Sequence, residues 1–357
     1  MSIQTLDPHR LRRAKTAYTV RNLDTTAALG LTWGADVRPR HGDLVLASVK
    51  SIGQHTRLEL TTGRRATLYV GDEVIVAYGQ RYAPDQFEAV LPVDLGPADL
   101  VAAGGMISTM VSKHNSVSMP TRLLPVGLLT SADGAVLNMS DLGVGEPVPT
   151  LHRPPTALVV GTSMNAGKTT TVASLIRGLA GAGLRVGAAK LTGTGAGGDP
   201  WLFRDAGAAE VLDFTDGGLC STFGIGNEQI LETALRLHGH LAARAVDAIV
   251  LEVADGLLFP ETAGLLERPE LRRLFDVLLF AAGDAAGALY GVSRLRASGL
   301  PVAAVSGKLT ASPLAVREAA ANLDLPIYSP AELAEPLLAN GLLDLSTPLV
   351  EAAEQLA

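Results

Sequence analysis

The sequence predicts an α/β protein in which a P-loop parallel sheet, with helices on both faces, follows a smaller β-rich N-terminal domain. Three observations carry this reading. Apolar strand-like runs alternate with amphipathic stretches from residue 156 onward, which is the pattern of βαβ units whose crossovers cover both faces of a parallel sheet. Short β-favouring runs separated by turn residues fill the window 42–92. Between the two, Pro147, Pro149, Pro154 and Pro155 mark a stretch that suits neither a helix interior nor a central strand. The boundaries that follow are a β-rich domain over 1–141, a linker over 142–155 and an α/β domain over 156–357. A chain of 357 residues exceeds what one ordinary core fills, so two domains are the simplest division.

In the first part, residues 1–40 offer only a short helix around His9 to Ala17. From Asp43 the runs LVLASVKSI, RLEL, ATLYV, EVIVAYG and QFEAVLP alternate with turn signals at Gly53-Gln54, Thr62-Gly63, Gly71-Asp72 and Pro84-Asp85. Strands at that spacing predict a small barrel or sandwich over 42–92. The stretch from Leu95 to Val111 is mixed, with a break at Gly104-Gly105, and Thr121 to Thr130 reads as a further strand.

In the second part, strands are expected at 158–160, 186–189, 248–252, 277–281 and 302–306, with a short last one at Pro326-Ile327. Helices are expected at 168–182, 228–243, 285–298, 312–322 and 330–340. Ligands of open parallel sheets bind outside the carboxyl ends of the strands, so the strand ends are where chemistry should lie.

The first of these strands runs into GTSMNAGKTT at 161–170. Gly161, four residues, Gly167, Lys168 and Thr169 have the spacing of a phosphate-binding loop, with apolar residues at helical spacing behind it (Val172, Leu175, Ile176, Leu179). Glycines let backbone N–H groups turn around an anion, and the helix N-terminus adds its positive end. Lys168 is expected on the β- and γ-phosphates and the Thr169 hydroxyl on Mg²⁺. Gly161, Thr162, Asn165, Ala166, Gly167, Lys168, Thr169 and Thr170 form the expected contact set for ATP or GTP. The bland alternative is a glycine-rich β–α turn that binds nothing.

The second strand ends at Lys190 and opens into TGTGAGGD, where Thr192, Thr194 and Asp199 supply polar groups for a substrate. A mobile surface loop is the competing reading. The strand AIVLEVADG ends in Glu252 and Asp255. A carboxylate after an apolar strand, in the same domain as a phosphate loop, suits a hard cation such as Mg²⁺. Glu252 is therefore the expected metal ligand together with Thr169, and Asp255 is free to meet substrate. Lys168, Lys190, Glu252 and Asp255 make up the expected catalytic set. The polar, glycine-rich segment 199–224 reads as a substrate-binding lobe, with Arg204 and Asp205 among its candidates. Lys308, after the strand ending at Ser306, is a further candidate nucleotide contact. Cys220 reads as a buried, inert thiol with no base beside it, and His238 and His240 point apart on a helix, which argues against a metal pair.

Bulk properties narrow the partners. A net charge of −7 argues against nucleic acid, and no apolar run reaches the roughly 18 residues that span a bilayer. One cysteine and an N-terminus without an apolar stretch lead to the expectation of a cytoplasmic protein acting on a small molecule. Homo-oligomerisation is left open.

With GTSMNAGKTT, Lys190, LEVADG at 251–256 and FAAGDAAGALYGVSRLRASGLPVAAVSG at 280–307 on the page, the stretch 157–330 resembles the dethiobiotin synthetase-like branch of P-loop enzymes. That resemblance implies ATP and Mg²⁺ activating a small-molecule carboxylate or carbamate. It implies Lys168 and Thr169 on phosphate and metal, Glu252 on metal, and Lys190 on substrate or phosphate. Thr162 stands where dimeric partition and nitrogenase-iron-protein ATPases carry a signature lysine. The two-domain layout also resembles a family that includes D-glutamate N-acetyltransferases, in which the loop would hold the phosphates of acetyl-CoA.

The reading that follows is an ATP- and Mg²⁺-dependent enzyme of kinase or ligase type. An acyl-CoA-dependent N-acyltransferase and a non-enzymatic nucleotide-gated binding module are the alternatives. Lys168→Ala is expected to abolish triphosphate binding while leaving the fold intact, as read by titration with a fluorescent nucleotide alongside circular dichroism. Unchanged affinity would move the site elsewhere.

Overall fold

The computed structural model describes residues 2–27 and 29–343; residues 344–357, which the sequence reading includes in the second domain, lie outside the described residues. The chain forms two compact units. Unit 1 runs to Val144 and also takes in Thr194–Gly198 and Phe214–Gly224, while unit 2 holds Gly145–Gly193, Asp199–Asp213 and the chain from Ile225.

Unit 1 opens with β1 (Ser2–Thr5), α1 (Pro8–Arg13), β2 (Lys15–Thr16) and β3 (Gly30–Trp33). It continues through β4 (Leu44–Ser51), β5 (Arg57–Glu59), β6 (Arg65–Thr67), β7 (Glu73–Tyr78), β8 (Arg81–Tyr82) and β9 (Phe87–Val90). It then adds β10 (Ala98–Ala102), β11 (Met106–Lys113) and β12 (Thr121–Thr130). The strands β4, β7, β11, β10 and β12 pair in a closed ring, antiparallel throughout except where β7 meets β11. The ring reaches Thr130, past the 42–92 window, because β10 to β12 are needed to close it. The Gly104-Gly105 break is the tight turn between β10 and β11, with Gly105 at φ 108°. Leu46, Ile75, Leu100 and Ile107 fill the core.

The two later segments are tied into unit 1 by their own hydrogen bonds. Gly195 N–H donates to Cys220 O at 2.9 Å, Gly197 N–H donates to the Glu59 carboxylate at 3.0 Å, and Arg21 pairs with Asp216.

Unit 2 begins with β13 (Thr156–Gly161), α2 (Lys168–Gly181), β14 (Val186–Lys190), α3 (Gly198–Asp205) and β15 (Glu210–Asp213). Next come α4 (Asn227–Ala242), β16 (Ala248–Glu252), α5 (Pro260–Leu266), α6 (Pro269–Arg272), β17 (Val277–Ala281) and α7 (Ala285–Ala297). The described chain ends with β18 (Ala304–Ser306), α8 (Pro313–Ala320), α9 (Pro330–Leu333) and α10 (Pro336–Leu343). The sheet order is β15-β14-β16-β13-β17-β18, and every pairing is parallel. The strands' period of two turns Ala157, Val159, Ala188, Val250 and Leu279 to one face, where they pack with Val172, Leu175, Ile176 and Leu179 of α2. On the other face Gly187 lies against Leu241 of α4, and Phe280 lies against Gly291 of α7. This is the α/β architecture the sequence predicts.

Several details differ. The segment 199–224 is no separate lobe: it holds α3 and the edge strand β15, and its last part belongs to unit 1. EVLD is too short and too polar to register as a strand without its neighbour β14. The short helices α5 and α6 also escape a periodicity reading. The helix expected over 330–340 is two, because Pro336 begins a new one. Pro326-Ile327 contributes only an isolated bridge from Ile327 to Val305.

Ile176 is fully buried in the α2 face of unit 2. Ile176→Ala is expected to cost about 2–5 kcal/mol, as read from the urea midpoint of the unit 2 transition; a loss under about 1 kcal/mol would mean that the face is loosely packed.

Candidate functional site

The turn from β13 to α2 has little room for side chains where the spacing demands glycine. A Cβ on Gly161 would lie 2.7 Å from Ala281 O and 2.8 Å from the Lys168 stem. Gly167 sits at φ 101° as the N-cap of α2, and a Cβ there would meet Gly307 Cα at 2.9 Å. Lys168 is buried and its Nζ donates to Ser163 O at 2.8 Å. Burial pulls the Lys168 ammonium down from its usual pKa. The Thr169 hydroxyl donates to Glu252 Oε1 at 3.1 Å.

The sheet register decides which strand ends share this edge. Val159 of β13 pairs with Glu252 of β16, which in turn pairs with Lys190 of β14. Glu252 is 1% exposed, and its Oε2 has no hydrogen-bond partner among the described residues. Burial raises the Glu252 pKa from its usual value, against the pull of Lys190. Lys190, with a side chain 14% exposed, is ion-paired with Asp199. Burial pulls Lys190 down, but Asp199 and Glu252 outweigh it and the net shift is upward. Asp255 follows in the turn after β16 at φ 64°, in the left-handed region that costs an L-residue roughly 1–2 kcal/mol and that Asp tolerates better than most. Burial raises its pKa as well. Lys168 and Lys190 interact with Glu252, Asp255 and Asp199, so with all five ionised the cluster carries one net negative charge.

The structure thus brings Lys168, Thr169, Lys190, Asp199, Glu252 and Asp255 to one edge of the sheet in unit 2. Other sequence candidates take different places. Thr192 is a strut: its buried hydroxyl accepts from Ala254 N–H at 2.8 Å, tying the loop after β14 to the loop after β16. Thr194 belongs to unit 1, where it bridges to Ser221. Arg204 lies over the Trp201 ring in the last turn of α3, and exposed Asp205 follows it; neither forms an ion pair with the cluster among the described residues. Gly161, Thr162 and Ala166 are held by the backbone: Thr162 N–H donates to Ala281 O, and Ala166 O accepts from Lys308 N–H. Asn165 sits at φ 63°, and Thr170 is exposed on the first turn of α2.

Residues the sequence reading passed over complete the frame. The Thr171 hydroxyl donates to Gly167 O at 3.0 Å and shares a hydroxyl–hydroxyl contact of 3.3 Å with Ser306 Oγ, and Gly256 packs against Thr162 O and Ser163 Cα. Only the glycine in LEVADG hinted at that approach. Cys220, in unit 1, does have a base beside it, because His41 Nε2 lies 3.3 Å from its sulfur. The inert reading still stands: burial pushes the thiol up to about 12 and the imidazole down to about 4. His238 Nε2 meets Thr156 Oγ1 at 3.2 Å in a structural contact.

Among the described residues no three His, Cys, Asp or Glu side chains cluster as a metal site. Mg²⁺ at a phosphate loop needs less, since the phosphates supply oxygens of their own. A hydroxyl, a carboxylate and an orphaned buried Oε2 fit that demand. Among the described residues no helix is long and apolar enough to cross a membrane.

No family model and no curated protein matches this chain. Among solved structures it is similar to the signal recognition particle receptor FtsY of Elizabethkingia anophelis in complex with GDP, at 14% identity and TM-score 0.38, over 55% of this chain and 66% of that one. It is also similar to the 54 kDa signal recognition particle protein of Aeropyrum pernix in complex with GDP, at 21% identity and TM-score 0.37, over 61% of this chain and 53% of that one. The FtsY of Thermotoga maritima matches at 18% identity and TM-score 0.37, over 54% and 70%. The chain therefore spans less than two thirds of the first two proteins. These neighbours are neither dethiobiotin synthetases nor N-acetyltransferases, and the family resemblance drawn from the sequence is corrected accordingly. At such scores the likeness does not assign a family of its own.

The raised Asp255 pKa has a sign that can be checked. The folded state keeps this proton over a range where the unfolded chain has lost it. The associated stability is present below the ordinary carboxylate range and is lost as pH rises through the raised value. The melting temperature of Asp255→Asn, relative to wild type, is therefore expected to climb as pH rises upward from the ordinary carboxylate range. A flat or falling difference would contradict the upward shift.

Proposed function

We propose that unit 2 binds a nucleoside triphosphate with Mg²⁺ and transfers its γ-phosphoryl group to a small-molecule acceptor. The observation that supports this reading is the Thr169–Glu252 hydrogen bond, with the second Glu252 oxygen buried and unpartnered beside the Lys168 loop. A carboxylate in that position repels phosphate unless a cation stands between them. When bound, Mg²⁺ neutralises charge on the β- and γ-phosphate oxygens. On this reading Glu252 and Thr169 hold the ion, directly or through water. Lys168 exchanges the Ser163 carbonyl for phosphate oxygens, and the amides at the start of α2 face the same anion. Lys190, held by Asp199, offsets charge on the transferred group.

The acyl-CoA reading meets an electrostatic obstacle. The phosphates of CoA would enter a cluster of net negative charge without the divalent ion that a triphosphate carries.

Fluorescent ATP and GTP analogues titrated with and without Mg²⁺, with acetyl-CoA as competitor, test the reading. Wild type is expected to bind at least one analogue tightly only with Mg²⁺. Glu252→Gln is expected to lose about 10–100-fold of that Mg²⁺-dependent affinity. Acetyl-CoA binding with no nucleotide binding would overturn the proposal.

A further inference from the structure

Two of the cluster's three carboxylates have partners, Glu252 with Thr169 and Asp199 with Lys190. Asp255 makes no hydrogen bond or ion pair among the described residues. Its position is nevertheless tightly held. Its backbone sits at φ 64°, and the next residue, Gly256, is pressed so closely on the phosphate loop that a Cβ would lie 2.3 Å from Thr162 O. The turn is therefore pinned against the loop that would hold the triphosphate. Backbone strain that persists beside a ligand loop marks a side chain whose placement matters. The charged groups facing Asp255 are Lys168 from α2, Lys190 from β14 and Glu261 from α5.

We propose that Asp255 accepts the proton of a hydroxyl or amine nucleophile as it attacks the γ-phosphorus, so that the acceptor is a neutral protic molecule and not a carboxylate. The inference rests on the nucleoside-triphosphate reading above. In the step, the nucleophile's oxygen or nitrogen bonds to the γ-phosphorus, and the bond from that phosphorus to the β–γ bridging oxygen breaks. The nucleoside diphosphate leaves with the bonding pair, and the nucleophile's proton passes to the Asp255 carboxylate and then to solvent. A carboxylate acceptor has no proton to give. It would also bring a further negative charge beside the carboxylates of Asp255, Glu252 and Asp199. A half-buried carboxylate that holds its proton more firmly than usual is the stronger base toward a weak acid such as an alcohol.

Water is itself a protic nucleophile, so single-turnover diphosphate formation from Mg²⁺·ATP and Mg²⁺·GTP reads the step. The affinity of the fluorescent analogues is measured in parallel for wild type, Asp255→Asn and Asp255→Glu. The wild-type rate should rise with pH as Asp255 loses its proton, and Asp255→Asn is expected to slow turnover about 10²–10⁴-fold and to flatten that rise while nucleotide still binds; Asp255→Glu should recover part of both. A wild-type rate no faster than that of Asp255→Asn, with nucleotide still bound, overturns the inference and leaves the binding reading standing. Failure of wild type to bind any Mg²⁺-nucleotide overturns both. Acceleration by acetate to the same extent in wild type and Asp255→Asn overturns the acceptor class.

Discussion

The hydrogen bond from Thr169 to Glu252 depends on the pairing of β13 with β16, and much of unit 2 depends on that pairing in turn. Side chains alternate along a strand, so a one-residue slip would turn Glu252 to the opposite face and leave a charge among apolar residues. In the observed register its carboxylate meets the first turn of α2 on one side and Lys190 on the other. A buried carboxylate is tolerated only with such company. Two lysines and a hydroxyl supply it, and one oxygen has no hydrogen-bond partner among the described residues. That oxygen is the one the proposed Mg²⁺ would meet.

Rigidity comes from backbone contact on two flanks of the phosphate loop. On one side Gly256 abuts Thr162 and Ser163, and on the other Gly307 and the Lys308 N–H meet Ala166 O. Thr171 then links Gly167 to Ser306. A loop held this way presents its amides with little reorganisation left to make, which is what binding and charge stabilisation both require. The same close approaches explain why small residues recur at three separate strand ends.

Much of unit 2 is legible without coordinates, because its signals are local. The apolar runs of β13, β16 and β17, the helical spacing of Val172, Leu175, Ile176 and Leu179, and the spacing from Gly161 to Thr169 all declare themselves within a short window. Lys190 and Glu252 stand out because they end apolar strands. Other features have no local signature. β15 is a strand because β14 offers it an edge, and Thr192 is a strut because Ala254, 62 positions later, needs an acceptor. The glycines around 193–198 resemble a ligand-binding loop, yet Gly195 and Gly197 pack within unit 1. The family resemblance went astray for a related reason: a loop, a lysine and a carboxylate at strand ends recur across many P-loop proteins.

Sequence alone determined the α/β class, the phosphate loop and the two strand ends that flank it, since periodicity and glycine spacing are properties of neighbouring residues. Tertiary structure decided which groups meet: Lys190 with Asp199, Thr169 with Glu252, and Asp255 facing Lys168 and Lys190 with no ion pair among the described residues. Those outcomes follow from register and from loop contacts between segments tens of residues apart. Such contacts exist only once the sheet has formed.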